Sequence, residues 1–298
     1  VEMISMNGKT AIVTGGNSGI GFEAAKAFAG RGFRVLLAVR RIGKGHDAVA
    51  RIQENHPDAR VDVQELDIAD LSSIRAFAEH VSTRYEKLDL LVNNAGVMTP
   101  PLSQTADGFE LQFGSNHLGH FALTGMLLPL LKNTPDSRVV TISSLAHRNA
   151  SIDFDNLDGA DGYRPMQFYG QSKLANLLFA KELDRRLKAH GLETISIACH
   201  PGISATNLFK IGQKDAPEFL KKLAGKLLQT PEMGALPTIY AATAPNLTGG
   251  EYIGPDGKGQ RKGYPTLERP DPAALDEKTA ERLWNVSEEM TGVVYDFS

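Results

Sequence analysis

Six short apolar runs, TAIVTGG, RVLLAV, VDVQEL, LDLLVNNAG, RVVTISS and TISIACH, recur between Thr10 and His200. Most are nearly continuous in apolar and β-branched residues, as strands covered on both faces are. VDVQEL alternates more and is expected nearer a sheet edge. Helical patterning fills the stretches 19–31, 42–55, 71–86, 107–132, 166–190 and 231–243. Strand–helix alternation of this kind implies a parallel sheet with right-handed crossovers and helices on both sides. The expectation is one doubly wound α/β domain over 1–298. The chain has no linker-like stretch and no repeat.

Three segments fall outside this rhythm: the polar insert HRNASIDFDNLDGADGYRP at 147–165, the stretch 207–229, and the tail after TGGEYIGPDG. In the tail (273–298), Ala273 to Met290 reads as a helix. The net charge of −3 offers no basic face for nucleic acid. The one cysteine, Cys199, sits in an apolar run and reads as a small buried hydrophobe. A single cysteine excludes an internal disulfide and fits a reducing compartment. No apolar stretch reaches the length of a membrane span. VEMISMNGKT lacks the basic start and apolar core of a secretory signal. A soluble, cytoplasmic protein is expected.

TGGNSGIG, Thr14 to Gly21, joins the first strand to the first helix. Glycines there permit a tight turn and close approach of a ligand. The helix start adds free N–H groups and a positive dipole end, which suit a pyrophosphate. The spacing is G-x-x-x-G-x-G, not the G-x-G-x-x-G of longer dinucleotide domains. Gly15, Asn17, Ser18, Gly19, Ile20 and Gly21 are the candidate contacts of a Rossmann-type dinucleotide site. After the second strand an NAD site usually carries an acid for the ribose 2′-OH. Here Arg40 and Arg41 stand there, with Lys44 close by. A guanidinium pairs well with a 2′-phosphate, so NADP is expected over NAD. Asp67 and Ile68 end the third strand, and Asn94, Ala95 and Gly96 end the fourth. Ligands of such sheets sit at these carboxyl ends, where Asp67 can accept from an adenine amino group.

TGGNSGIG, NNAG, TISS and YGQSK stand in order, and with them the chain resembles a short-chain dehydrogenase/reductase from about Lys9 to Pro255. SNHLGHF, SSLAH and YGQSKLANLLFAKEL make it similar to the retinol dehydrogenase, WW-domain oxidoreductase and protochlorophyllide reductase-like branch. The resemblance implies a catalytic tetrad. Tyr169 would be the general acid/base, Lys173 its partner, and Ser144, preferred over Ser143, the carbonyl donor. Asn116 would anchor a water relaying protons to the lysine. It also implies that Pro201, Gly202, the Ile203 backbone and the Thr206 hydroxyl hold the nicotinamide end, and that Tyr169 and Lys173 touch the cofactor. Free tyrosine is a poor base at neutral pH. A lysine one helical turn away would favour the phenolate.

The activity implied is NADP(H)-dependent hydride transfer to or from a carbonyl or alcohol. C=C reduction by the same fold, and a nucleotide-binding sensor without turnover, are the alternatives. A homodimer or homotetramer through the helices at 107–132 and 166–190 is the family's habit. APEFLKKLAGKLLQ sets Phe219, Leu220, Leu223, Leu227 and Leu228 opposite Lys221, Lys222 and Lys226. A lid, a packed helix and a membrane-surface helix all fit that pattern. The family's substrate loop at about 203–230 favours a lid and a hydrophobic substrate. The insert, with Asp153, Asp155, Asp158 and Asp161, lacks the EF-hand spacing and reads as a solvated loop at the rim. His117, His120 and His147 read as packing residues rather than a zinc-ligand cluster, since no further ligand is evident; contact of His147 with the substrate is a lesser alternative. No metal site is expected.

Overall fold

The computed structural model describes residues 6–203 and 229–298. The six runs form β1 (Thr10–Thr14), β2 (Arg34–Val39), β3 (Val61–Glu65), β4 (Leu90–Asn93), β5 (Arg138–Ile142) and β6 (Ile195–Cys199). Two further strands, β7 (Tyr252–Pro255) and β8 (Pro265–Leu267), complete one sheet in the order β3-β2-β1-β4-β5-β6-β7-β8. Only β8 runs antiparallel, against β7. VDVQEL lies at the edge, as its alternation predicts.

Side chains divide between the two faces with the strand period of two. Ala11 and Val13 of β1, and Val35, Leu37 and Val39 of β2, point into one core. Helices α1 (Gly19–Gly30), α2 (Ile42–Asn55) and α7 (Pro231–Thr243) cover that core. Ile12, Leu36 and Ala38 point into the other, under α3 (Leu71–Arg84), α5 (Gly119–Lys132) and α6 (Pro165–Ala189). Strand order reverses beside β1, where β1 separates β2 from β4. That reversal opens a crevice at the carboxyl ends of the strands.

The helix expected over 107–132 begins later. Gly108 has φ +85° and Glu110 caps the N–H groups of Gln112 and Phe113. It then runs as α4 (Leu111–Phe113), a π-helical turn (Gly114–Leu118) and α5. The tail helix is α8 (Glu277–Thr291), capped by Asp276 and closed by Gly292 at φ 66°. It lies on α5 and α6 of its own chain. Trp284 packs against Phe121 at 5.1 Å and Phe179 at 5.9 Å, and Tyr295 Oη donates to Phe121 O at 2.6 Å. A second copy using those two helices would meet α8 there. No helix among the described residues is long and apolar enough to cross a membrane.

The insert is solvated along its acidic residues, with Asp153, Asp155, Asp158 and Asp161 exposed, but its apolar residues face inward. Ile152, Phe154 and Leu157 pack against the core beneath α6, and Arg282 of α8 covers the Phe154 ring at 4.0 Å. Tyr163 Oη donates to Pro100 O at 2.9 Å and accepts from Gln112 Nε2 at 2.8 Å. Its apolar residues, interleaved with the acids, find a groove that local patterning does not disclose.

Candidate active site

A cavity of about 340 Å³ opens at the strand reversal. Gly15, Asn17, Ser18, Gly19, Ile20, Gly21, Arg40, Asp67, Ile68, Asn94, Ala95, Gly96, Tyr169, Lys173 and Pro201 all reach its wall. The glycine end is built for close approach. Gly15 has φ +65°, and a Cβ there would lie 3.1 Å from Ala95 Cα. The Ser18 side chain does not cap α1, which leaves first-turn N–H groups for an anionic ligand.

A Cβ on Gly21 would come within 2.6 Å of Gly15 O and collide with Asn94 Nδ2. Because Gly15 O is backbone, the turn itself would have to shift. Gly21→Ala is expected to weaken dinucleotide binding at this turn about tenfold or more, in line with ~1–3 kcal/mol for overpacking. Fluorescence titration of the folded variant checks this; unchanged affinity would show that the turn does not contact the cofactor.

One residue the sequence reading passed over ties this end together. Thr14 Oγ1 accepts from the N–H groups of Asn94 and Ala95, each at 2.9 Å. Its proton then points to His120 Nε2, also at 2.9 Å. His120 Nδ1 donates to Asn116 O at 3.0 Å. The chain of bonds joins the ends of β1 and β4 to the π-turn that holds Asn116. Burial pushes His120 down to about 4, so it stays neutral and structural. His117 is likewise buried, down to about 3, against Ser287 at 2.8 Å. Both are packing residues, and no metal-ligand cluster exists among the described residues.

At the other end, Tyr169 and Lys173 lie one turn apart on α6, each 5% exposed. Lys173 Nζ sits 5.7 Å from the Tyr169 ring centroid and donates to Ile142 O at 3.2 Å. The paired serines diverge. Ser143 Oγ donates to Lys173 O at 2.7 Å, so its hydroxyl is spent on the scaffold even though the residue reaches the wall. Ser144 is half-buried and does not line the cavity, its hydroxyl accepts from Ala146 N at 3.2 Å, and its presence favours the ionised Tyr169 phenol.

Such a wall, with a glycine turn at one end and a buried tyrosine–lysine pair at the other, accompanies a match to a known family. Residues 9–216 match the sequence model described as short chain dehydrogenase. The chain belongs to the short-chain dehydrogenase family. It is 42% identical over 294 residues to retinol dehydrogenase 11 of Mus musculus, covering 99% of this chain and 90% of that protein. Retinol dehydrogenase 13 of Homo sapiens is 42% identical over 293 residues, covering 96% and 85%. The crystal structure of an uncharacterized protein from Mycobacterium paratuberculosis superposes with a TM-score of 0.83 at 39% identity, covering 99% and 97%. This short-chain dehydrogenase therefore falls in the retinol dehydrogenase-like branch, an oxidoreductase group that uses a nicotinamide cofactor.

Several of the dehydrogenase's expected site residues sit differently from the expectation. Asn116 does not reach the wall. Its Oδ1 accepts from Val97 N at 2.8 Å, and its Nδ2 donates to Val97 O at 2.9 Å and Ser172 Oγ at 3.0 Å. The side chain holds the Gly96 loop against α6. The Ile203 N–H donates to Arg261 O at 2.7 Å and the Gly202 N–H to His200 Nδ1 at 3.1 Å, so neither is offered to the cavity. Thr206 and the 216–228 stretch lie outside the described residues. Burial raises the Tyr169 phenol above its ordinary value, and the Ser144 hydroxyl only partly offsets this. The same burial brings Lys173 down to about 8. His147 is 1% exposed and absent from the wall.

Proposed function

We propose that the chain transfers hydride between NADP(H) and a carbonyl or alcohol of a small hydrophobic molecule, with Tyr169 as general acid/base. The observation that carries this is the buried Tyr169–Lys173 pair on the wall of a cavity whose far end is the glycine turn. When bound, the nicotinamide supplies or takes the hydride. Tyr169, kept protonated by burial, gives its proton to the oxygen of a carbonyl as charge builds there. Ser144 donates to that same oxygen. Lys173, anchored on Ile142 O, carries the positive charge beside both groups. Val97, Met98 and Leu111 line the cavity, which supports an apolar substrate. The relatives' name makes a retinoid aldehyde or alcohol the first compound to test.

The choice of NADP rests on Arg40, an exposed guanidinium on the wall at the end of β2. Arg41 stands at the N-cap position of α2 without a side-chain capping bond and does not reach the wall. Arg40→Asp is expected to weaken NADPH binding ~10- to 100-fold, the scale of a charge-assisted hydrogen bond lost, and to spare NADH. Parallel titrations with the two cofactors decide the point. Equal losses for both would remove the 2′-phosphate role.

A further inference from the structure

We propose that His147 is a positioning residue for hydride transfer, fixing the loop that presents Ser144 to the substrate oxygen; this rests on the role given to Ser144 above. The imidazole closes the short 3₁₀ turn Leu145–His147 that follows β5. Its Nδ1 lies 2.7 Å from Ser144 O. A carbonyl only accepts, so Nδ1 carries the proton. Its Nε2 receives the Asp271 N–H at 3.3 Å, so Nε2 is bare. One neutral tautomer satisfies both contacts, and burial favours the neutral ring.

The result is a doubly held carbonyl. Ser144 O accepts from the backbone N–H of His147 at 3.1 Å as well as from the ring. Ser144 Oγ meanwhile accepts from Ala146 N at 3.2 Å. Peptide plane and hydroxyl are both located. Beyond His147 the chain enters the insert and regains regular structure only at Pro165. On its C-terminal side Ser144 is followed only by this one short turn before the insert, and the imidazole helps to hold that turn. It is itself held from outside the loop. Tyr252 of β7 packs edge-on at 5.5 Å and 87°, and Asp271 lies between β8 and α8. The turn also rests directly on α6. A Cβ on Gly170, the residue after Tyr169, would come within 2.7 Å of Ala146 O. His147 thus fixes the spacing between the Ser144 loop and the tyrosine without touching the cavity.

The test compares His147→Ala, His147→Asn and His147→Gln with the wild-type chain on the best-turned-over aldehyde. The readouts are kcat, KM, the isotope effect of NADPH deuterated at the transferred position, and NADPH affinity by fluorescence. Asn keeps an N–H near the Nδ1 position, whereas Gln places its amide nearer Nε2. The Ala and Gln variants are expected to lose about tenfold to a hundredfold in kcat, the scale of a small misplacement of a reacting group. Their isotope effect should rise and their NADPH affinity should hold within about twofold. Asn should recover most of the rate. Unchanged kcat in Ala and Gln, or a parallel loss of rate and NADPH affinity that Asn does not relieve, would overturn the proposal. If the Ala variant does not fold, equal rates for Asn and Gln overturn it and a fast Asn with a slow Gln upholds it. A wild-type chain that binds NADPH yet reduces no aldehyde would sink the carbonyl-reductase reading itself, a different failure.

Discussion

Tyr169→Phe is expected to lower kcat for carbonyl reduction by about 10²- to 10⁴-fold, the range of a lost general acid. NADPH affinity should stay within a few-fold. The substitution removes one oxygen and keeps the ring that fills the wall. Lys173 retains its bond to Ile142 O, which does not pass through the phenol. The phenol is buried and held protonated, so its removal takes away the proposed acid beside the lysine on the cavity wall. Stopped-flow reduction with saturating NADPH reads the chemical step alone. A variant within tenfold of wild type would mean that the proton comes from elsewhere.

Ser144→Ala should slow the same step by about 10²- to 10³-fold, the cost of removing one donor to a developing oxyanion. Ser143→Ala should cost less in rate. Its hydroxyl is committed to Lys173 O, so its loss removes one scaffold hydrogen bond, worth ~1 kcal/mol of stability. The two serines are adjacent in sequence and alike in chemistry, and their hydrogen bonds separate them. Single-turnover rates for both variants, with thermal melts alongside, test the assignment. The reversed order of rates would hand the role to Ser143.

The strands that carry the site were legible because they are buried on both faces. TAIVTGG and RVVTISS are continuous apolar runs, and each ends on residues that reach the cavity. Glycines at fixed spacing likewise announce a turn. What stayed hidden depends on contacts distant in sequence. β7 is four residues, YIGP, between glycine-rich turns, too short to show a period. Thr14 gives no sign that its hydroxyl takes two N–H groups from a strand end 80 residues away. His147 reads from sequence as one packing histidine among three, and only the structure shows its bonds to Ser144 O and Asp271 N. The burial of Tyr169 is hidden for the same reason. Helical spacing brings Lys173 near, but sequence does not report the degree of burial, which raises the phenol.

The most direct measurement follows deuterium from NADPH, labelled at the transferred position, into an α,β-unsaturated aldehyde such as a retinoid aldehyde. Recovery of the unsaturated alcohol with deuterium on the former carbonyl carbon, lost in Tyr169→Phe, is the result predicted. Deuterium on the β-carbon of a saturated aldehyde would contradict the account and make the protein a C=C reductase.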